Sequence, residues 1–227
     1  MNWVIKAKKA VGEKAAELVE DGMLVGLGTG STATAFIESL IKRCQKGLRI
    51  EAVATSRRSQ QQALNGGIPV FDINRVSTLD ICFDGADEID PKKRMIKGGG
   101  GALLREKIVA AMSHEMVVII DETKCVKELG KFPLPIEIIP FGYRSVIDKL
   151  EKLGYNGKVR MESGNYKYVT DSGHFIYDAQ LAPKHPKPEQ IQEEILHIPG
   201  VVETGFFFGL AGRVIVGKSD GSVEIIP

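Results

Sequence analysis

Apolar residues recur at three-and-four spacing through Trp3, Ala7, Ala10, Val11, Ala15, Leu18 and Val19, which predicts a helix over residues 2–20 that ends near Asp21-Gly22. Short apolar runs then alternate with helical patterns. Residues 23–26 read as a buried strand, 32–44 as a helix, 49–54 as a strand and 56–64 as a helix. Further short apolar runs lie at 68–71, 79–83 and 116–120, with a helix over 102–112 before the last. Buried strands separated by helices predict an α/β architecture, a parallel sheet covered on both faces.

After Asp121 the pattern changes. Phe132-Pro133-Leu134-Pro135 is expected to break regular structure, and from Ile136 the order is strand, helix (143–153), strand (159–163), strand (175–178), helix (189–196) and strand (201–206). That βαββαβ order is the ferredoxin-like unit, with the proline-rich stretch 181–188 as the loop before its second helix. Two last runs, 213–217 and 223–226, flank the turn Ser219-Asp220-Gly221 and predict a hairpin. The ferredoxin-like unit is complete before it, so the hairpin is free to return to the first sheet. The expected domains are residues 1–129 plus 207–227, and 130–206.

Composition narrows the class. Hydrophobic residues at 43% and charged at 26% are ordinary for a globular protein. A formal net charge of +1, with basic and acidic residues interleaved, argues against a nucleic-acid partner. No apolar run approaches the roughly 20 residues needed to span a bilayer, so no membrane partner is expected. The amphipathic N-terminus contains acids and lacks the pattern of a secretory leader. Cys44, Cys82 and Cys125 are widely spaced and fit reduced thiols in a cytoplasm. His114, His174, His185 and His197 make no metal-ligand spacing and read as surface or structural residues.

Three apolar runs end in small, polar, glycine-containing turns, the places where open α/β sheets build their sites. Gly26 to Ala33 reads GLGTGSTA. It lacks the lysine of a Walker loop and the third glycine of a dinucleotide fingerprint, and no carboxylate ends the second strand. What remains is a turn whose Thr29, Gly30, Ser31 and Thr32 either seat a single phosphate at a helix N-terminus or simply cap that helix. Phe83 to Asp90 reads FDGADEID. Carboxylates this dense bind a cation, handle protons and hydroxyls, or stay solvated; the calcium-loop spacing is absent, and no metal is expected. Asp84 and Asp87 are placed to bond sugar hydroxyls and help open a ring, whereas Asp90 before Pro91 reads as a turn former.

Lys97 to Lys107 reads KGGGGALLREK. Four glycines at a strand-to-helix junction lose much chain entropy on folding, and they let backbone N–H groups approach a ligand closely. Glu106 and Lys97 form either an exposed ion pair or a proton-abstracting base opposite an oxyanion-stabilising ammonium. Lys124, and more weakly Lys8, are candidate phosphate cations.

With these residues in view, the chain resembles type A ribose-5-phosphate isomerases. The blocks at 26–32, 84–88, 97–107 and 130–140 match that family in order and separation, and the likeness continues to 198–205. The resemblance implies a Rossmann-like first domain, a smaller ferredoxin-like second domain, no cofactor and a homo-oligomer, dimer or tetramer. It implies interconversion of D-ribose 5-phosphate and D-ribulose 5-phosphate through an enediolate, in the non-oxidative branch of the pentose phosphate pathway. Glu106 matches the catalytic base, Lys97 the lysine that stabilises enediolate charge, and Asp84 and Asp87 the acids at the sugar. The substrate-binding set it implies is Thr29 to Thr32, Asp84, Gly85, Ala86, Asp87, Lys97, Gly98, Gly99, Gly100, Lys124 and Lys8. Arg57-Arg58 depart from the usual family residues and leave the pocket rim open. The alternative is a non-catalytic phosphosugar sensor on a similar scaffold.

Overall fold

A computed structural model describes residues 3–163, 165–182 and 187–227. In chain order the elements are α1 (Trp3–Glu17), β1 (Leu24–Leu27), α2 (Ser31–Cys44), β2 (Glu51–Ala54), α3 (Arg57–Asn65), β3 (Ile81–Asp84), β4 (Glu88–Ile89) and β5 (Met95–Ile96). Then come α4 (Leu103–Met112), β6 (Met116–Asp121), β7 (Leu134–Ile138), α5 (Tyr143–Lys152), β8 (Gly157–Val159) and β9 (Phe175–Ala179). The chain closes with α6 (Pro188–Leu196), β10 (Val201–Thr204), β11 (Phe206–Phe207), β12 (Ala211–Gly217) and β13 (Val223–Ile226). These elements form two compact units: Met1–Ala86, Arg105–Cys125 and Gly209–Pro227 in the first, Asp87–Leu104 and Val126–Phe208 in the second.

The first unit holds a six-stranded sheet in the order β13-β12-β6-β3-β1-β2, parallel except for the edge strand β13. The final hairpin does return to this sheet. Every residue of β6 is buried, as a strand covered on both faces requires. Under α1 and α2 the core gathers Val11, Val25, Leu27, Phe36, Phe83, Val117, Ile119 and Ile215. Phe36 of α2 stacks on Phe83 of β3 with ring centroids 4.3 Å apart. Residues 68–71, expected as an apolar strand run, contribute one parallel bridge, Val70 to Ala52.

The second unit contains an antiparallel sheet in the order β10-β7-β9-β8, the strand order of a ferredoxin-like βαββαβ unit. Val146 and Leu150 of α5 and Ile191 and Ile195 of α6 pack with Leu134, Ile136, Ile138, Tyr177 and Ala179. Alternation along β7 and β9 sends these residues to the helix side of the sheet.

The structure corrects four expectations here. β7 begins at Leu134 and includes Pro135, whose carbonyl accepts a 2.7 Å hydrogen bond from Gly205 N while its missing N–H leaves the pairing with Asp178 intact. β8 is Gly157–Val159, upstream of the expected 159–163, and Gly157 is needed because a Cβ there would sit 2.1 Å from Asp178 O. The run 201–206 breaks at Gly205, so β10 pairs with β7 while β11 pairs with β5. Finally, β4 and β5 lie in a stretch expected to be loop. Residues 87–104 therefore belong to the compact unit of the ferredoxin-like sheet, whereas the expected division put them with the first domain. Two-residue strands carry no periodicity, and β5 forms against Phe206 and Phe207, more than one hundred positions away.

Gly12 marks where α1 crosses α2. A Cβ at that position would lie 2.6 Å from the Ala35 carbonyl carbon and 2.7 Å from Phe36 N, both backbone atoms. Glycine inside a helix normally costs about 0.5–1 kcal/mol relative to alanine. Here overpacking against immovable backbone, about 1–3 kcal/mol, outweighs that gain. Gly12→Ala is expected to lower the urea unfolding midpoint; an unchanged or raised midpoint would show that the helices separate at little cost.

Candidate active site

In the first unit, the turn after β1 is tied to the tip of β3. Asp84 is 2% exposed, and its Oδ1 accepts hydrogen bonds from Thr29 N at 3.0 Å and Gly85 N at 2.8 Å. Gly28 makes this approach possible, since a Cβ there would stand 2.3 Å from Asp84 Oδ1 and 2.5 Å from Phe83 O. Thr29 Oγ1 lies 2.7 Å from Thr55 Oγ1, and Thr55 Oγ1 donates to Leu27 O at 3.1 Å. Ser59 Oγ donates to Gly28 O at 2.6 Å. Residues from three consecutive strand ends thus brace a single turn.

That turn delivers α2 with Gly30 at its N-cap, at φ 110°, and no side chain caps the helix. Ser31 and Thr32 are therefore helical residues, not caps. The first-turn amides and the positive end of the helix dipole suit an anion. Lys8 of α1 donates to Ser31 Oγ at 2.9 Å and stands 3.9 Å from Asp121 Oδ2 at the end of β6. Asp121 is 1% exposed and accepts from Thr123 N at 3.2 Å, capping the short turn 122–124 that carries Lys124. Lys124 is half-buried and makes no hydrogen bond or ion pair among the described residues. Asp121 escaped the sequence reading, in which it ended an apolar run without a partner in view.

Glu106 lies in the first turn of α4 and is 4% exposed. Val109, one turn on, faces Gly26 of β1: a Cβ on Gly26 would meet Val109 Cγ1 at 2.8 Å. Side chains three apart share a helix face, so Glu106 and Val109 point to the same side. α4 connects β3 to β6, two parallel neighbours, so its N-terminal turn lies at the C-terminal edge of the sheet, the edge that carries Asp84. Gly85 and Ala86 follow Asp84 at the end of this unit's first segment.

The second unit brings Asp87, Lys97 and the glycine run together. Asp87 Oδ2 accepts a 2.7 Å hydrogen bond from Gly99 N, and its backbone N donates to Ile96 O at 2.9 Å. Lys97, 2% exposed, donates its backbone N–H to Gly205 O at 2.8 Å and holds its ammonium 5.3 Å from the centre of the Phe207 ring. Within the run, Gly98 has φ 108° and Gly101 has φ 79°, and Gly101 N donates to Gly98 O at 2.9 Å. Arg160 donates to both Gly98 O and Gly99 O and pairs with Asp178. Sequence reasoning missed Arg160 and Asp178, because their pairing depends on the register of β9 against the chain leaving β8.

The remaining acids of the 84–90 stretch are also held by backbone. Glu88 accepts from Gly130 N at 2.7 Å and Phe132 N at 2.6 Å; Asp90 accepts from Lys92 N at 2.9 Å and Arg94 N at 3.0 Å. Asp90 is thus a turn former, as expected, and Glu88 is a strut that sequence reasoning left unassigned. Among the described residues no cluster of acids, histidines and cysteines forms a metal cage. His174 Nδ1 lies 2.9 Å from the buried carboxylate of Glu137, and His197 Nδ1 lies 2.6 Å from Glu193 O. His114 donates its backbone N–H to Leu79 O, while His185 lies outside the described residues. Arg57 and Arg58 are exposed at the start of α3.

The family profile of ribose 5-phosphate isomerase A (phosphoriboisomerase A) matches residues 51–221. Ribose-5-phosphate isomerase A of Protochlamydia amoebophila is 51% identical over 222 residues, covering 98% of this chain and 96% of that protein. Among solved structures, ribose 5-phosphate isomerase from Plasmodium falciparum superimposes with a TM-score of 0.94 at 34% identity, covering 98% of each chain. A D-ribose-5-phosphate isomerase solved in complex with phospho-erythronic acid gives 0.93 at 37% identity, covering 100% of this chain and 99% of that one. A sequence match that runs nearly end to end, over a fold that superimposes as completely, places this chain in the ribose 5-phosphate isomerase A family.

Proposed function

We propose that this protein interconverts D-ribose 5-phosphate and D-ribulose 5-phosphate. The observation that carries the reading is the 51% identity to a named ribose-5-phosphate isomerase A across 98% of the chain. A relative solved with phospho-erythronic acid, a phosphorylated hydroxy acid, points to the same ligand class.

In this reading the substrate phosphate sits at the start of α2, where Ser31 and Thr32 offer amides and hydroxyls and Lys8 and Lys124 supply positive charge. Asp84 and Asp87 bond the sugar hydroxyls and assist opening of the furanose. Their restraint by backbone amides suits this role, because an acid held in one rotamer loses no further freedom when substrate arrives. Glu106 takes the proton from C2 of the open aldose, the electron pair moves onto the C1 oxygen, and Lys97 stabilises the resulting enediolate. The same carboxyl group returns the proton to C1 while the C2 hydroxyl proton passes to the C1 oxygen, leaving the ketose. No cofactor takes part. The protein acts in the cytoplasm as a homo-oligomer, dimer or tetramer, in the non-oxidative branch of the pentose phosphate pathway.

Three outcomes test this. Glu106→Gln keeps the size and hydrogen-bonding reach of the side chain but not its basicity, so kcat is expected to fall by about 10²–10⁴-fold with substrate affinity retained. Near-normal turnover in that variant would remove Glu106 from the base role. Gly28→Ala forces Asp84 from its position, and an Ångström-scale displacement predicts a loss of up to about 100-fold in kcat/KM; unchanged kinetics would mean that Asp84 needs no such placement. Turnover of ribose 5-phosphate is also expected to persist in excess chelator, and activity that returns only on adding metal would overturn the scheme.

A further inference from the structure

Beyond the acids and the lysine, one arginine donates hydrogen bonds to the backbone of the glycine run. Arg160 follows β8 and is pinned through both of its backbone polar groups: its N–H donates to Ile176 O at 2.8 Å, and its carbonyl accepts from Tyr168 N at 3.0 Å. Its guanidinium is held in a fork by Asp178, Nε at 2.9 Å and Nη2 at 2.5 Å from the two carboxylate oxygens. That leaves Nη1, which donates to Gly98 O at 2.8 Å and Gly99 O at 3.2 Å. The Tyr168 ring lies 5.9 Å from the guanidinium carbon and close against Gly101, where a Cβ would meet its hydroxyl at 2.3 Å.

A peptide plane points its C=O and the following N–H in opposite directions. Drawing the carbonyls of Gly98 and Gly99 onto one Nη1 therefore turns the N–H groups of Gly99 and Gly100 away from Arg160. The first is the group that holds Asp87, at 2.7 Å from Oδ2. The second has no acceptor among the described residues, and Gly100 is exposed. A loop of four glycines has no side chain of its own with which to select this orientation from the many its backbone allows. A lysine would not substitute, since its single ammonium cannot grip Asp178 in a fork and reach two carbonyls at once.

We propose that Arg160 is a positioning residue for the isomerisation: by fixing the Gly98 and Gly99 peptides it sets the Gly99 amide that orients Asp87. This rests on the role of Asp87 given above. The coupling runs Asp178 to Arg160, Arg160 to the glycine carbonyls, and the Gly99 amide to Asp87.

The test is a double-mutant cycle in the full-length protein, assayed with ribose 5-phosphate, using Arg160→Lys, Asp87→Asn and the pair, with melting temperatures recorded. Arg160→Lys is expected to lower kcat by roughly 10–100-fold, the range for a misplaced catalytic group. In the Asp87→Asn background the same change should cost less than about 3-fold, because the acid it positions is already gone. Arg160→Met with Asp178→Leu removes the ion pair without leaving a lone charge, so a collapse in melting temperature confined to Arg160→Lys does not obscure the result. Penalties that multiply independently, or full kcat in a folded Arg160 variant, would overturn the inference while leaving the isomerase reading intact. Full activity of Asp87→Asn would overturn the inference together with the role of Asp87. A wild-type chain inactive on ribose 5-phosphate would instead sink the isomerase reading itself.

Discussion

Carboxylates held by main-chain amides at strand ends are the restraint on which the proposed chemistry rests. Asp84, Asp87, Glu88 and Asp90 each accept at least one backbone N–H. Hydrogen bonds to charged groups contribute about 1.5–3 kcal/mol each, against a cost of several kcal/mol for taking an acid out of water. The same bonds freeze the side chains. A loop rich in acids would otherwise repel itself and move; here each carboxylate is committed to a particular stretch of backbone.

The amides that satisfy these acids need the chain to come very close, and that accounts for the glycines beside them. At Gly28 the missing side chain leaves room for Asp84, and at Gly99 the missing side chain leaves room for Asp87, whose Oδ1 would lie 2.6 Å from a Cβ. Acid and glycine are therefore two halves of one device, used once in each compact unit. A buried, stiff scaffold supports it in both: the all-buried β6 and its neighbours in the first, the ferredoxin-like sheet with Arg160 and Asp178 in the second.

The phosphate end of the proposed site follows a different logic. There the dipole at the start of α2 and the charge on Lys8 supply the attraction proposed for an anion. Lys8 is already engaged by Ser31 and Asp121, so its charge is held in place and partly balanced in the free protein. Lys124 is the more available cation.

Elements whose burial repeats at a steady period were readable from the residue order alone. α1, α2, α4, β3 and β6 emerged within a few positions of their observed bounds, and the βαββαβ order of the second unit was evident, because each carries its own hydrophobic pattern. The motif residues were legible for a similar reason: runs such as DGADE and KGGGG are too unusual in composition to be filler. Contacts between remote segments were not. β4 and β5 exist because Phe206 and Phe207 come to pair beside them, and Pro135 sits in a strand because its neighbours across the sheet ask nothing of its nitrogen. Arg160, Asp178 and Asp121 acquired their parts in the same way. A side chain's hydrogen-bond partner is set by strand register and helix crossing, and those are properties of the packed chain that no local window of residues contains.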